Sequence, residues 1–477
     1  MQAVRNSLPR HVTSMYKNIN RNFAANTLAF HFLPGGALSN LEKLLEVFCT
    51  KYGPIIRLEG SFGAPTLIFV LDAEASAQIL RGENWIPYRP GFASLEHYRK
   101  TIIPNNSDQT TGLLTEHGEP WKKFRSAVNP IMLHTKTIKL YSKILNEVAD
   151  DMIARMRYKR NSKNEIEGKF DVEMNLWSLE SIGVVALGGR LNCLDPNLPE
   201  DSPARKLIQT VHDIFILSNE LDFKPSFWRY FATPTYKKAM KSYAEQTRIS
   251  EYFINKARTE YKSKQTNDDE KGILEKLLEI DERVAVIMAS DMLLAGVDTA
   301  ANTMLGILYL LAKNPEKQEK LREEVTSHSG SKAYLKACIK ESLRMMPVVA
   351  GNLRQTTKEY NILGYTIPKD MLVTFGHQYL SLIDQHYPKS KEFIPERWLV
   401  DKTDPLYYGN AHPFAYSPFG FGVRSCIGRR IAELEIETFL AKVIENFKVE
   451  WNGPPVKTKI AAINYVIGPY HYVFKDV

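Results

Sequence analysis

The sequence predicts a mainly α-helical fold with small β-sheets, built as a single large domain. Three observations lead there. Apolar residues recur at helical spacing over much of the chain. Extended stretches punctuated by Gly and Pro are short and few. No Ser/Gly/Pro-rich linker divides the 477 residues, although that length would permit two or three domains.

The elements follow in order. No acidic residue precedes Glu42, and Arg5, Arg10, Lys17 and Arg21 stand among Ser and Asn. Residues 1–32 therefore read as a basic segment with the composition of a mitochondrial transit peptide, ahead of a domain at 33–477. A plain basic tail is the other reading. No apolar run follows the charges, which speaks against a secretory signal or an N-terminal anchor. Ile55 to Leu58 and Thr66 to Leu71 form a hairpin, with Gly60, Gly63 and Pro65 between them. Ile138, Tyr141, Ile144, Leu145, Val148 and Met152 put one apolar face on a helix across 135–157. A charged loop follows at 159–169. Helical segments between Ser202 and Tyr261 are broken at Pro225 and Pro234, and 263–272 is a charged surface connection. A long helix runs from about Asp281 to Lys313, before Pro315. Its stretch from Met292 to Ala312 is long enough to span a bilayer. Asp298 near the middle would cost at least ~2.5 kcal/mol there, so a buried core helix is expected. A helix from Ala333 to Met346 stops at Pro347. Extended chain follows around Leu363 to Thr374, then a loop from His412 to Gly428 and a last helix from near Ile427 to about Asn446.

Composition narrows the function classes. The formal net charge of +8 suits an anionic membrane surface or an acidic protein partner. No dense basic stripe with interleaved aromatics points to nucleic acid. Cys49, Cys193, Cys338 and Cys426 form no CxxC pair, so neither a zinc ribbon nor a redox dithiol is signalled. So few thiols fit a reducing compartment.

Chemistry concentrates in Phe419-Gly420-Phe421-Gly422-Val423-Arg424-Ser425-Cys426-Ile427-Gly428. Glycines at 420, 422 and 428 let the backbone approach a flat ligand and take positive φ. Cys426 falls at the start of a helix, where amides favour a thiolate, and Arg424 adds positive charge. A thiolate held this way is a good metal ligand. A buried structural cysteine is the alternative for any single Cys.

The full ten-residue pattern resembles the haem loop of the cytochrome P450 family, the haem-thiolate monooxygenases. The resemblance covers roughly residues 33–475. It implies a cytochrome P450-type domain with haem b (iron protoporphyrin IX) between the long central helix and the Cys loop. Cys426 is then the axial iron ligand, and Phe419 and Arg424 meet the haem. Thiolate ligation pushes electron density toward iron and favours O–O cleavage. Glu341-Ser342-Leu343-Arg344 resembles the family's ExxR helix. Pro395-Glu396-Arg397-Trp398 resembles its PERF segment, with Trp in place of Phe. Together they imply a buried Glu341–Arg344–Arg397 network. Trp121-Lys122-Lys123-Phe124-Arg125 resembles the WxxxR helix. Trp121, Arg125 and Arg354 are implied as donors to haem propionates. Ala295-Gly296-Val297-Asp298-Thr299 resembles the oxygen-binding groove. Gly296 would leave room for dioxygen and water, Thr299 would hold or donate a proton, and Asp298 would feed protons from solvent. A helix kink at Gly296 with a back-bonded Thr is the structural alternative.

Lys336 to Glu341, Cys426 to Glu435, Trp177 to Gly183 and Pro225 to Lys238 resemble the mitochondrial branch, most closely its arthropod members. That branch implies electrons from an adrenodoxin-like 2Fe-2S ferredoxin, itself reduced by an NADPH-dependent ferredoxin reductase. The implied docking residues are Lys336, Lys340, Arg429 and Arg430. The implied location is the matrix side of the inner mitochondrial membrane, with peripheral membrane contact. One departure is the poorly formed Pro-rich hinge before Phe32. The expected reaction inserts one atom of O2 into a small apolar substrate, either sterol- or ecdysteroid-like or xenobiotic. Phe92, Phe215, Phe227, Met288, Val348, Val349 and Val466 lie in the stretches that line the family's pocket. Phe223 to Phe231 is either a membrane-dipping lip or internal packing. A haem-thiolate isomerase or dehydratase, and a non-catalytic haem ligand-binding protein, are the alternatives. The pair Asp298 and Thr299 weighs against both.

Overall fold

The computed structural model describes residues 41–477, apart from 61–63, 104–109, 167, 262–270 and 328–329. The basic segment 1–32 and the departure before Phe32 lie outside the described residues, as does most of the charged connection at 263–272. In chain order the helices are α1 (Leu41–Tyr52), α2 (Ala73–Arg81), α3 (Ala93–His97), α4 (Gly118–Met132), α5 (Thr135–Lys139), α6 (Ser142–Lys159), α7 (Phe170–Leu187), α8 (Pro203–Asp222), α9 (Pro234–Tyr261), α10 (Ile273–Ile280), α11 (Glu282–Lys313), α12 (Pro315–Thr326), α13 (Ala333–Met345), α14 (His377–Ser381) and α15 (Arg429–Asn446). The strands are β1 (Ile55–Leu58), β2 (Leu67–Val70), β3 (Asn352–Gln355), β4 (Tyr360–Ile362), β5 (Tyr365–Ile367), β6 (Leu372–Phe375), β7 (Phe447–Trp451), β8 (Lys457–Ile460), β9 (Asn464–Ile467) and β10 (Tyr472–Asp476).

The expected hairpin forms, pairing Ile55 with Val70 and Leu58 with Leu67. It extends into a sheet of order β1-β2-β6-β3, with β2 and β6 parallel. The expected extended chain after residue 363 is a tight hairpin and a strand. Leu363 and Gly364 take φ 49° and 79° between β4 and β5, as a two-residue turn of the favoured hand requires.

Helix α11 is the axis of the molecule. Asp281 caps it, accepting from Arg283 and Val284 amides at 2.8 and 3.0 Å. Pro315 starts α12 at its first turn, where a missing amide costs nothing. α11 is long and apolar enough to cross a membrane, yet its apolar side chains are buried among other helices, as its central Asp requires. α7 packs against it and is buried on nearly every side. Trp177 of α7 stacks on Phe439 of α15 at 4.5 Å, tying the last helix to the same core.

One expectation changes. The helix expected across 135–157 is two, α5 and α6, broken at Leu140 and Tyr141. The break buries the Tyr141 ring and lets its hydroxyl accept the Ile273 amide at 2.6 Å, a contact from α10 that local periodicity cannot carry. The break expected at Pro225 and Pro234 falls at 223–233, between α8 and α9, with Pro234 as the first residue of α9.

Candidate active site

Backbone hydrogen bonds shape the loop before α15. The Cys426 amide donates to Phe419 O at 2.8 Å and the Ser425 amide to Gly422 O at 3.0 Å. Gly420 and Gly422 take φ +76° and +68°, where a side chain is strained. Gly428 differs from expectation, because its φ of −82° suits any residue. A Cβ at 428 would instead stand 3.9 Å from Cys426 Sγ. α15 starts at Arg429, so Cys426 lies just before the helix and not within it. The Gly428 amide still bonds the sulfur. Burial outweighs the rest and leaves the Cys426 thiol raised, against the expected preference for a thiolate, while that amide, Arg125, Arg89 and Arg429 pull the other way. Cys426 is enclosed by protein yet accessible, so its side chain opens on an internal space. Among the described residues no three of His, Cys, Asp and Glu gather to chelate a bare ion. Haem iron brings four nitrogens of its own and asks the protein for one thiolate, which this site offers.

The residues expected at the propionates do come together. Arg424 lies 3.7 Å over the Trp121 ring and donates to Pro87 O and Glu116 O at 3.1 and 3.2 Å. Arg125 Nη2 donates to Ser425 O at 3.0 Å, and its Nε is buried without a partner among the described residues. Arg354 donates to Phe421 O at 3.1 Å and pairs with Glu83 at 2.8 Å. Sequence reasoning missed a fourth guanidinium. Arg89, in Tyr88-Arg89-Pro90-Gly91, is deeply enclosed, and among the described residues no hydrogen bond or ion pair engages it. Burial and then Arg354 push it down to about 10. Burial, Arg89, Arg354 and Arg125 push Arg424 down to about 8. A guanidinium keeps its proton in a protein. Four of them, with the carboxylates of Glu83 and Asp291 near, form a strongly positive cluster in which the two propionates of a haem would find charge-assisted donors. Phe419 presents its ring to the Arg429 guanidinium, 5.2 Å away.

Behind the loop, Glu341, Arg344 and Arg397 are fully buried. Glu341 accepts from Arg344 at 2.8 and 2.9 Å, from Arg397 Nε at 3.0 Å and from the Ile394 amide at 3.0 Å. The Trp in place of Phe adds another donor, since Trp398 Nε1 reaches Glu341 Oε2 at 3.0 Å.

On α11, Asp298 is fully buried. Its Oδ2 accepts from Tyr465 of β9 at 2.6 Å and lies 3.5 Å from His212 Nδ1 of α8. Thr299 Oγ1 donates back to Ala295 O at 2.8 Å. A Cβ at Gly296 would meet Ile182 at 2.7 Å. The glycine thus answers to the close crossing of α7 and α11 on that side, where space for oxygen and water was expected.

The expected docking residues carry companions. Lys336 stands 3.9 Å from Glu437, Lys340 lies 5.6 Å over the Trp398 ring, and Arg429 pairs with Glu433 at 2.8 Å. Arg430 turns to Leu133 O and Thr135 Oγ1 at the α4–α5 junction. Of the pocket stretches, Phe215, Met288, Val348 and Val466 are buried, and Phe92 meets Phe215 edge-on at 5.8 Å. Phe227 stacks on Phe231 at the surface, 5.9 Å apart. Trp228 turns inward and donates to Leu221 O at 2.9 Å. A surface cleft of about 470 Å³, lined by Glu46, Tyr379, Asp384 and neighbours, holds none of these groups.

Comparison with known proteins agrees. The family model described as Cytochrome P450 matches residues 27–474. Cytochrome P450 CYP12A2 of Musca domestica is 40% identical, over 94% of this chain and 88% of that protein. A Drosophila melanogaster protein named probable cytochrome P450 12a5, mitochondrial, is 36% identical over 93% and 88%. The crystal structure of the cytochrome P450DA haem domain superposes with a TM-score of 0.75 at 17% identity, over 94% of each chain, which speaks for the fold. With the Cys loop, the buried Glu–Arg network and a match over nearly its whole length, the chain belongs to the cytochrome P450 family and is a haem-dependent monooxygenase.

Proposed function

We propose that this enzyme works in mitochondria, on the matrix side of the inner membrane, and takes electrons from an adrenodoxin-like 2Fe-2S ferredoxin kept reduced by an NADPH-dependent ferredoxin reductase. It inserts one atom of O2 into a small apolar substrate of sterol, ecdysteroid or xenobiotic size. Residues 1–32 serve as the transit segment and 33–477 as the catalytic domain. Relatives named mitochondrial support the location.

The observation that carries the donor reading is the charge on α13 and the start of α15. Lys332, Lys336 and Lys340 succeed one another by single turns, and all three act on Glu437 of α15. Arg429 and Arg430 follow the haem-ligating loop. Glu433 and Glu437 offset part of this charge, and the excess is positive. An acidic partner is drawn to such a face, and its approach weakens with salt.

Bound haem supplies the iron that activates dioxygen, with Cys426 as its thiolate ligand. The chain's own residues do the rest. Arg89, Arg125, Arg354, Arg424 and Trp121 hold the propionates. Thr299 would exchange its bond to Ala295 O for one to a water and so hold a proton at its hydroxyl. Asp298, one residue away, is the acid that renews that proton. Phe92, Phe215, Met288, Val348 and Val466 offer apolar lining, which suits a substrate without charge. Exposed Phe227, Tyr230 and Phe231, beside Lys224 and Arg229, suit contact with a membrane interface.

The test is turnover of an apolar panel, sterols and insecticides, with purified ferredoxin and reductase. Product should require both proteins. Lys336→Gln with Lys340→Gln should raise the ferredoxin KM several-fold and flatten its salt dependence. Equal product without ferredoxin, or with a flavoprotein reductase alone, would overturn the reading.

A further inference from the structure

The carboxyl that the sequence assigns to proton delivery has no direct path to water, since Asp298 is fully buried. Its surroundings show who its partners are. Tyr465 of β9 donates to Oδ2 at 2.6 Å. His212 of α8 places Nδ1 3.5 Å from the same oxygen. That is an ion-pair contact, longer than a good hydrogen bond. The imidazole and the Tyr465 ring meet edge to face at 4.9 Å and 75°, which fixes the tilt of the imidazole. The other carboxyl oxygen, Oδ1, is buried with no hydrogen-bond partner among the described residues. Among the described residues around Asp298, only His212 reaches both the carboxylate and solvent, with its side chain 42% exposed. Asn302, one turn on, is bound to the Val466 amide at 2.9 Å, so α11 and β9 are fastened at this level.

We propose that His212 is the solvent-side proton donor to Asp298, and that Tyr465 positions the receiving carboxylate. This deepens the monooxygenase reading and rests on it. The Asp298 carboxylate takes the Nδ1 proton of the imidazolium at Oδ2, so one N–H bond breaks and one O–H bond forms. Asp298 then passes that proton on toward the Thr299 hydroxyl, and breaking its O–H bond restores the carboxylate for the next transfer. No electron moves in this relay. Bulk water then reprotonates the exposed imidazole. Tyr465 is held in its neutral form by burial and by the Asp298 charge, so it orients the carboxylate and carries no proton. His212 titrates in the range such a donor needs. The Asp298 carboxylate raises it above the ordinary 6.5, against burial; Asp213 on its own helix also raises it, and Lys459 of β8 lowers it. Asp213 itself pairs with Lys238 of α9 at 3.5 Å. Because His212 rides on α8, proton supply depends on α8 lying over α11.

Two measurements on the haem-loaded protein decide the matter. The first is the NMR titration of the His212 ring in the diamagnetic reduced carbon-monoxide form, assigned with His212→Gln. It should titrate above 6.5 in the wild type and fall back toward 6.5 in Asp298→Asn. An identical titration in both proteins overturns the pair. The second is turnover in His212→Gln, which keeps a polar group there but has no titratable proton to give. Coupled product formation should fall on the order of tenfold. That is less than the 10²–10⁴-fold of an acid touching the reacting atoms, because water partly substitutes. Oxygen uptake should continue as peroxide, substrate KM should stay put, and the alkaline fall of the pH profile should disappear. Unchanged coupling with an unchanged pH profile overturns the role. If the wild type makes no product with ferredoxin, the monooxygenase reading fails, and the titration alone decides whether His212 and Asp298 share a proton.

Discussion

Glu341→Ala is the sharpest perturbation of this fold. Glu341, Arg344 and Arg397 have no exposed surface. Removing the carboxylate leaves two guanidiniums buried without a counter-charge, a loss of about 3–5 kcal/mol. The local geometry says which end of that range applies. Arg344 keeps the carbonyls of Ser381 and Ser390, both at 2.7 Å, and of Glu392 at 3.1 Å. Among the described residues Arg397 keeps only Pro388 O at 3.2 Å, and its Nη2 already lacks a partner. The Trp398 indole and the Ile394 amide also lose their acceptor. The cost therefore falls near the top, about 4–5 kcal/mol. Domains of ordinary stability have about 5–15 kcal/mol in all, so the variant stands at the edge of folding. Urea unfolding gives the stability, and the reduced carbon-monoxide Soret band counts thiolate-ligated haem. Glu341→Gln, which keeps the shape and one acceptor, should fall between. Full haem content in Glu341→Ala, with stability within about 1 kcal/mol of wild type as for an exposed pair, would refute the reasoning.

Trp398→Phe restores the commoner residue and removes one donor from Glu341 Oε2, which keeps Arg344 Nε at 2.9 Å. It should lower the urea midpoint by the equivalent of about 1.5–2 kcal/mol while haem is retained. Arg89→Leu removes a guanidinium with no hydrogen bond or ion pair among the described residues, so apoprotein stability should hold while haem transfers to apomyoglobin on the order of tenfold faster; an unchanged transfer rate would remove Arg89 from the haem site. Asp222 accepts from the Ser94 amide and hydroxyl, both at 3.0 Å, and burial pushes it from 3.8 up to about 6. A raised carboxyl favours the fold while protonated, so that contribution is complete below pH 3.8 and is lost as pH rises through about 6. Asp222→Asn should abolish this loss, which at 1.36 kcal/mol per unit amounts to roughly 2–3 kcal/mol. Parallel pH–stability curves for the two proteins would contradict it.

What the sequence made legible is what lies close together along the chain. The Cys loop, Glu341 with Arg344, and Trp121 with Arg125 are each one short pattern, and the structure brings all of them to the same region. Helices were legible from periodicity until tertiary contacts intervened, as where Tyr141 turns inward to meet α10. Arg89, His212 and Tyr465 were not legible as site residues. Each is an isolated residue without a spacing partner, and Tyr465 meets Asp298 across 167 positions of chain. Gly296 was misjudged for the same reason, because Ile182 of α7 fills the space the sequence left open. The acidic companion of Arg429 was within reach. Glu433 is four residues on, the spacing of a helical ion pair, so the docking face could have been read as mixed in charge.

The two arginine clusters of the core differ in a way that residue type cannot express. Around Glu341, two guanidiniums share one carboxylate and most of their remaining donors end on carbonyls. Around Cys426, four guanidiniums crowd together with Glu83 and Asp291 near; Arg89 has no hydrogen bond or ion pair among the described residues, and burial, then its neighbours, push Arg424 down to about 8. The first arrangement is nearly complete without a ligand and has the character of a scaffold. The second carries uncompensated positive charge in an enclosed space, which costs stability until an anion arrives. On the proposed assignment, bound haem would bring two negative charges on its propionates to the arginines and an iron to the thiol at once. Haem should therefore stabilise the fold through the arginines as well as through the sulfur. Cys426→Ala should accordingly keep part of the stabilisation that added haem gives, and Arg89→Leu with Arg125→Leu should remove part of it while the thiolate bond stays. A Cys426→Ala protein that gained nothing from added haem would show that the arginines do not act as its anion site.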